Sequence, residues 1–225
     1  MKKIFIVFSI VFLLACEDDP VLNFGPPLPI IAFTGPKTTS SHAEAENVVG
    51  WINEFNGFSL SLQTFLDKEP SQSGSTYTWS VVEEGVTYQL TGTMRADSGY
   101  NWKLMLNGKK NGGATYSNWT AFDGVSDASR RNVSWQIYAE NMTTKISDFV
   151  WVVSSNLSLT GTLSQYTSGV ITGSTVVTDN PNGTGQILIY DHGVLRYKAI
   201  WLSNGTGHYE YYNDQGTKTS EGDWS

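Results

Sequence analysis

Apolar residues recur at steps of three and four within residues 41–66, as they do along one face of an amphipathic helix. Ser41 and Glu44 fit a capping box that would start this helix. Gly57 interrupts the pattern, and a glycine inside a helix costs up to about 1 kcal/mol. The pattern therefore predicts one long helix or two abutting ones. Its apolar positions are Val48, Trp51, Ile52, Phe55, Leu62, Phe65 and Leu66.

After Ser75 the period of the pattern changes to two. Residues 156–164 alternate strictly between polar and apolar side chains, as a half-buried strand does. Short turn signals such as Glu84-Gly85, Asn107-Gly108 and Asp214-Gln215-Gly216 separate runs of this kind. The spacing leaves no room for crossover helices, so the runs predict an antiparallel meander of about 10–12 strands.

The predicted fold is mainly β, with the N-terminal amphipathic helix packed against a curled sheet. A meander of this length does not stay flat, because strand twist accumulates. Curling around the apolar helix as a barrel or half-barrel buries both apolar surfaces. Four tryptophans are expected to fill the space between sheet and helix. They are Trp79, Trp102, Trp135 and Trp201.

The chain begins with a leader of the secretory type. Lys2 and Lys3 precede an apolar run over residues 4–14, which is too short to cross a bilayer that needs about 20 apolar residues. The motif Leu13-Leu14-Ala15-Cys16 resembles the bacterial lipobox. That resemblance implies cleavage after residue 15 and acylation, including palmitate, of Cys16. The alternative is that Cys16 is only a small residue late in an ordinary signal peptide.

The predicted organisation is therefore a signal peptide at 1–15, a lipidated cysteine with a proline-rich tether at 16–40, and one domain at 41–225. Glu17-Asp18-Asp19 resembles the acidic export signal of Bacteroidetes outer-membrane lipoproteins; a solvated spacer is the equal alternative. The expected location is the outer membrane, facing either the periplasm or the cell surface. Residues 28–33 are apolar enough to dock on the domain as a short edge strand, which would shorten the tether.

A weak repeat with a period of 23 residues suggests a hairpin unit. Residues 77–85 recur at 100–108, and Asp191, Gly193 and Trp201 recur at 214, 216 and 224. The last forty or so residues, with Gly207–Gly216 followed by Gly222-Asp223-Trp224, resemble the MORN-variant repeat. The resemblance implies stacked hairpins and, at most, an interaction role. The overall outline is similar, in shape alone, to the LolA and LolB lipoprotein carriers.

Charge and motif content limit the function. The net charge is −7, and without Lys2 and Lys3 the remaining 12 basic residues face 21 acidic ones, which gives −9. This balance disfavours nucleic acid and anionic lipid surfaces as partners. His42, His192 and His208 lack a nucleophile motif and metal-ligand spacing, so no catalytic residue, no metal site and no cofactor is predicted. We expect a protein that is not an enzyme.

Three classes of function remain open. The first is a binding or adhesion module that contacts a glycan or a protein through an exposed aromatic row, with Tyr209, Tyr211 and Trp224 as the candidate ligand-facing residues. The second is a carrier that holds a hydrophobic ligand in a cavity beside Trp51 and Phe55. The third is a purely structural envelope protein. In each class the membrane is a partner through the lipid on Cys16.

Overall fold

The computed structural model of the chain describes residues 26–37 and 42–225. The fold is mainly β, as predicted, with one α-helix followed by thirteen strands in the described part. The helix is α1 (Ala43–Gln63). The strands are β1 (Ser71–Ser73), β2 (Thr76–Glu83), β3 (Val86–Met94), β4 (Tyr100–Lys109), β5 (Thr115–Ser126), β6 (Asn132–Tyr138), β7 (Lys145–Val153), β8 (Leu159–Thr167), β9 (Val170–Asp179), β10 (Gly185–Asp191), β11 (Val194–Trp201), β12 (Gly207–Tyr212) and β13 (Lys218–Trp224).

The strands form one antiparallel sheet in which each strand pairs with the next along the chain. The predicted meander is confirmed, with thirteen strands where the pattern gave 10–12. Of the two predicted alternatives, barrel and half-barrel, the closed barrel is excluded, because β1 and β13 each pair with a single neighbour and not with each other. The residues of the two edge strands explain why the sheet stays open. β1 has three exposed polar residues, and β13 carries Lys218, Glu221 and Asp223, charged side chains of the kind that protect sheet edges from pairing.

Tight turns connect the strands where the sequence predicts them. Glu84 and Gly85 have φ of 49° and 83°, and His192 and Gly193 have φ of 49° and 79°. Two successive residues with positive φ match the right-handed twist of the flanking strands. These turns fix the register of the β2–β3 and β10–β11 hairpins.

Helix α1 is continuous through Gly57, so the single-helix alternative holds. A Cβ at Gly57 would meet nothing within 4 Å, so no neighbour requires a break there. The helix begins at Ala43, and His42 caps it by accepting a hydrogen bond from the Glu44 amide at 3.3 Å. The predicted capping residue, Ser41, lies outside the described residues. Within the described part of the chain, no helix has the length and hydropathy to cross a membrane.

Aromatic rings join α1 to the sheet. Phe58 contacts Phe122 of β5 at 5.1 Å between ring centroids, and Phe55 contacts Phe149 of β7 at 5.3 Å. Near the start of the helix, Trp51 contacts Tyr197 of β11 at 4.8 Å. The helix thus lies across one face of the sheet, here called the inner face. The four tryptophans predicted for the core are at most 2% exposed, which confirms that prediction: Trp79, Trp102, Trp135 and Trp201.

Glycines on the inner face lie opposite large rings on the neighbouring strand. A Cβ on Gly92 would come within 2.7 Å of the Trp102 ring, and a Cβ on Gly124 within 2.7 Å of the Trp135 ring. The indole rings therefore occupy space that any other residue would fill. The same opposition recurs in register along the sheet, at Gly92–Trp102, Gly124–Trp135, Gly161–Trp151, Gly185–Trp201 and Gly207–Trp224.

Residues 26–37, here called the strap, pack on the folded body. The Phe33 amide donates to Asn56 Oδ1 at 2.8 Å, and Asn56 Nδ2 donates back to the Phe33 carbonyl at 2.8 Å. The amide and hydroxyl of Thr34 both donate to Asp179 Oδ2, at 2.8 and 2.7 Å. The expected docking of 28–33 occurs, but without strand structure, since these hydrogen bonds go to side chains. The rest of the predicted tether, residues 16–25 and 38–40, lies outside the described residues.

Candidate binding groove

The three aromatic residues predicted to face a ligand lie on the inner face. Trp224 is 3% exposed, and its ring stacks against Tyr209 at 6.5 Å and 19°. Tyr211 donates its hydroxyl to Glu44 Oε2 of α1 at 2.9 Å. Burial, with this carboxylate beside it, raises the pKa of Tyr211 to about 12. The three rings therefore close the space between the start of the helix and the last two strands, and they do not form a solvent-exposed row.

The space beside Trp51 and Phe55, where a carrier would hold its ligand, is occupied by protein rings. Phe33 of the strap packs edge-on against Phe55 at 5.6 Å between ring centroids, and Phe149 of β7 packs edge-on against the same ring at 5.3 Å. Tyr197 fills the corresponding place beside Trp51. The described part of the inner face thus resembles a protein core.

The opposite face, here called the outer face, carries two rows of side chains in register, all of them polar except Val125. One row runs from Thr91 through Lys103 and Asp123 to Gln136, across β3 to β6. The second runs beside it along the same strands. The two rows line a depression of about 510 Å³. The second row is Thr93, Asn101, Val125 and Ser134.

A break in strand pairing adjoins these rows. β5 spans twelve residues, but its pairing with β6 covers only Phe122 to Ser126. Asn118 has a positive φ of 50°, and the register of β5 against β4 shifts in the same region. The first half of β5 therefore separates from the β6–β7 turn. This separation leaves a second depression of about 1130 Å³ between them.

The two depressions share Lys103 and Asp123 in their linings and form one outer groove. At its wide end, three side-chain bonds hold the separated segments at a fixed distance. Trp119 Nε1 donates to the Met142 carbonyl at 3.1 Å, and Asn141 Nδ2 donates to the Thr115 carbonyl at 3.0 Å. The third bond runs from the Tyr116 hydroxyl to Glu140 at 2.9 Å. These hydrogen bonds therefore hold the groove open as part of the folded structure.

The aromatic side chains of the groove are held in place by neighbours. Tyr116 stacks on Trp119 at 5.5 Å and 18°. The Tyr138 hydroxyl lies 3.1 Å from Asp123 Oδ2 and 3.2 Å from Gln136 Oε1. Burial raises the pKa of Tyr138, and the Asp123 carboxylate raises it further. Tyr138 therefore stays a neutral hydroxyl at physiological pH, able to share hydrogen bonds with a ligand.

Away from the groove, the outer face of β11–β13 carries a charged network. His208 Nδ1 lies 2.7 Å from Asp223 Oδ1, and the ligand atoms of His208, Glu210 and Glu221 lie within 4.8 Å of one another. That spacing suits a metal ion. However, Lys218 Nζ already contacts Glu221 at 2.5 Å and Glu210 at 3.3 Å, so ammonium groups compensate these carboxylates. We interpret the arrangement as an ion-pair network at the edge of the sheet.

Glu210 is the most strongly stabilised carboxylate in this network. Lys198 Nζ donates to Glu210 Oε2 at 2.9 Å, and the Tyr212 hydroxyl donates to the same oxygen at 2.7 Å. The hydrogen bond from Lys198, followed by those from Tyr212 and Lys218, lowers the pKa of Glu210 to about 2. A carboxyl group with this pKa does not serve as a proton donor near neutral pH.

The predicted lipidation residue, Cys16, lies outside the described residues, as do Glu17-Asp18-Asp19. Lipid attachment and export therefore stay predictions. Sequence reasoning missed the groove. A weak signal was present: residues 115–120 are mostly Thr, Ser and Asn without alternation, which marks a strand whose pairing is interrupted.

No protein-family model matches this chain, and no curated protein matches it.

Proposed function

We propose that the protein is a lipid-anchored, non-catalytic binding module of the bacterial cell envelope, whose binding site is the outer groove. The observation that carries the proposal is the groove itself. It is a preorganised polar depression on a surface that has no packing partner among the described residues. Side chains held in place before binding lose less conformational entropy when a ligand arrives.

The position of the strap supports display of the groove. The strap packs on the inner face, and the groove opens on the opposite face. The predicted anchor at Cys16 is only ten residues before Pro26, a distance of at most about 35 Å in a fully extended chain. A short link on the inner side turns that side towards the membrane and leaves the groove facing away from it.

The fold supports a scaffold role for the remaining strands. Helix α1 contacts β5, β7, β11 and β12 in turn, as expected for a sheet that curls around it as a half-barrel. The resemblance of the C-terminal hairpins to MORN-variant repeats enters the proposal as part of this scaffold. The rings that fill the space beside Trp51 and Phe55 do not favour a carrier function.

Two measurements test the anchor. The intact mass of the mature protein is expected to correspond to a chain that begins at an acylated Cys16. In a Cys16→Ser variant, the protein is expected to leave the membrane fraction. A mature chain that begins elsewhere, or that carries a free thiol, contradicts the anchor.

A binding experiment tests the groove. The full-length protein in detergent is incubated with a panel of neutral polysaccharides, anionic polysaccharides and peptidoglycan sacculi, and bound protein is measured. We expect saturable binding to at least one probe. Asn101→Arg, which places a large charged side chain in the groove, should abolish it. The matched control is Thr162→Arg, on the outer face of β8, which should retain it. Failure of every probe, or indifference to Asn101→Arg, contradicts the proposal.

A further inference from the structure

The chemistry of the outer groove indicates the class of its ligand. Neutral hydrogen-bonding groups dominate its lining, contributed by Thr, Ser, Asn and Gln side chains of β3 to β6 and of the β6–β7 turn. Hydroxyl and amide groups donate and accept, so they match a ligand that presents many hydroxyl groups. Apolar anchors of the kind that hold a hydrophobic ligand are scarce there, with Val125 and Met142 as the aliphatic members of the two linings.

Charge in the groove is balanced. Among the side chains that line it, Lys103 and Asp123 carry the charges, one of each sign. The chain as a whole has a net charge of −7, which repels polyanions at long range. A single lysine does not offset that repulsion for a polyanionic ligand.

Asp123 occupies the centre of the groove, where the two depressions meet. The Tyr138 hydroxyl lies 3.2 Å from Oδ1 and 3.1 Å from Oδ2 of this carboxylate. Each oxygen has a further lone pair that can accept a hydrogen bond from a ligand. An ionised carboxylate accepts hydrogen bonds from two neighbouring hydroxyl groups at once. Gln136, directly across from Asp123 in register, adds an amide that both donates and accepts.

Aromatic side chains lie at the wide end of the same groove. Trp119 lines it, and Tyr116 supports the Trp119 ring from one side. Trp119 is half-buried, lies across from Leu106 in register and packs against the core, so part of its indole is open to the groove. That part offers a rigid apolar surface to the C–H groups of a pyranose ring. The groove crosses four strands, β3 to β6, which at about 4.8 Å per strand gives roughly 14 Å. That length accommodates a short run of linked sugars.

We infer that the outer groove binds a neutral glycan chain, with Asp123 accepting hydrogen bonds from sugar hydroxyl groups and Trp119 packing against a ring. This inference rests on the proposed function and names the ligand class for the same site.

Isothermal titration calorimetry of the full-length protein in detergent tests the inference. The neutral probes are cellohexaose, laminarihexaose, maltohexaose and mannohexaose, and the anionic probes are oligogalacturonate and hyaluronan oligosaccharides. We expect a neutral probe to bind and the anionic probes not to. Asp123→Asn keeps the size of the side chain and removes the charge, and it should weaken binding at least about tenfold. Trp119→Phe should weaken it less than Trp119→Ala.

The controls separate the possible failures. Asp97→Asn, in an exposed turn outside the groove, should leave binding unchanged. Circular dichroism of each variant establishes that the sheet is intact. Binding of anionic probes alone, with loss in Lys103→Ala, overturns the neutral-glycan inference and leaves the binding module standing. If a neutral probe binds equally well to Asp123→Asn and Trp119→Ala, the inference is also wrong. Failure of all probes here and in the panel above counts against the proposed function itself.

Discussion

Trp224, on the last strand, lies directly opposite Gly207 on its neighbour, and its indole covers the backbone that this glycine leaves bare. Trp224 Nε1 also donates to the Gly205 carbonyl at 2.9 Å, which fixes the orientation of the ring. An edge strand with little apolar surface of its own is thereby held to the sheet. Large aromatic side chains are known to compensate for the poor strand propensity of glycine on a neighbouring strand.

We expect Gly207→Ala to destabilise the protein. The added Cβ would overlap the Trp224 ring, and overpacking of this kind costs about 1–3 kcal/mol. Urea denaturation measures the free energy of unfolding. The control is Gly57→Ala in α1, where the Cβ meets nothing and the change should stabilise by about 0.5–1 kcal/mol. Equal effects from the two substitutions would show that the indole does not constrain Gly207.

The strap should detach locally when its acceptor on β9 is removed. Asp179→Ala removes the carboxylate that accepts from the amide and hydroxyl of Thr34, and a hydrogen bond to a charged group contributes about 1.5–3 kcal/mol. Hydrogen exchange followed by mass spectrometry should show faster exchange in peptides that cover residues 31–34. Asp97→Ala is the control and should leave those peptides unchanged. Unaltered protection in Asp179→Ala would mean that other contacts hold the strap.

Glu210 should make stability depend on pH in acid. Its pKa of about 2 lies below the usual 4.5, so its contribution is present above pH 4.5 and is lost as the pH falls through 2. Its partners are partly exposed, which limits the effect, so Glu210→Gln should lower the free energy of unfolding at pH 7 by about 1 kcal/mol. The difference from the unsubstituted protein should shrink between pH 4.5 and 2. Glu54→Gln, exposed on α1, should show no such trend, and a difference that stays constant in acid would refute the assignment.

Tyr211 should ionise late in an alkaline titration. Burial, followed by the hydrogen bond to Glu44 and the negative charge there, raises its pKa to about 12. The tyrosinate absorbance of the protein, minus that of Tyr211→Phe, isolates this residue. In Glu44→Gln the pKa should fall towards 10 without reaching it, because the burial remains. Ionisation of Tyr211 near 10 in the unsubstituted protein would place it in solvent.

The sequence determined the kind of fold more clearly than its closure. Alternation in residues 156–164 and the turn at Glu84-Gly85 are local signals, and local hydrogen bonds and side-chain alternation decide whether a strand forms. Closure depends on whether the first and last strands meet, and no local pattern encodes that. The three polar residues of β1 carry no alternation, which is why that strand was missed.

The site was harder to predict than the fold for the same reason. Tyr209, Tyr211 and Trp224 alternate poorly, since both faces of β12 carry aromatics, so the sequence did not show which face meets the helix. The groove arises where the pairing of β5 with β6 ends at Phe122. Pairing between strands depends on the tertiary structure. The one local sign of the interruption was Asn118, a residue type that tolerates a positive φ.

The strap also determines where the fold takes up mechanical load. On the proposed anchoring, a pull on the envelope side reaches the body first through the hydrogen bonds of Ile31 and Phe33 to α1, and then through Thr34 and Asp179, at the end of β9, well inside the sheet. Force therefore enters between paired strands and is shared with both neighbours, and the terminal strands are not peeled away one at a time. We therefore expect the sheet to stay paired when the tethered protein is under tension.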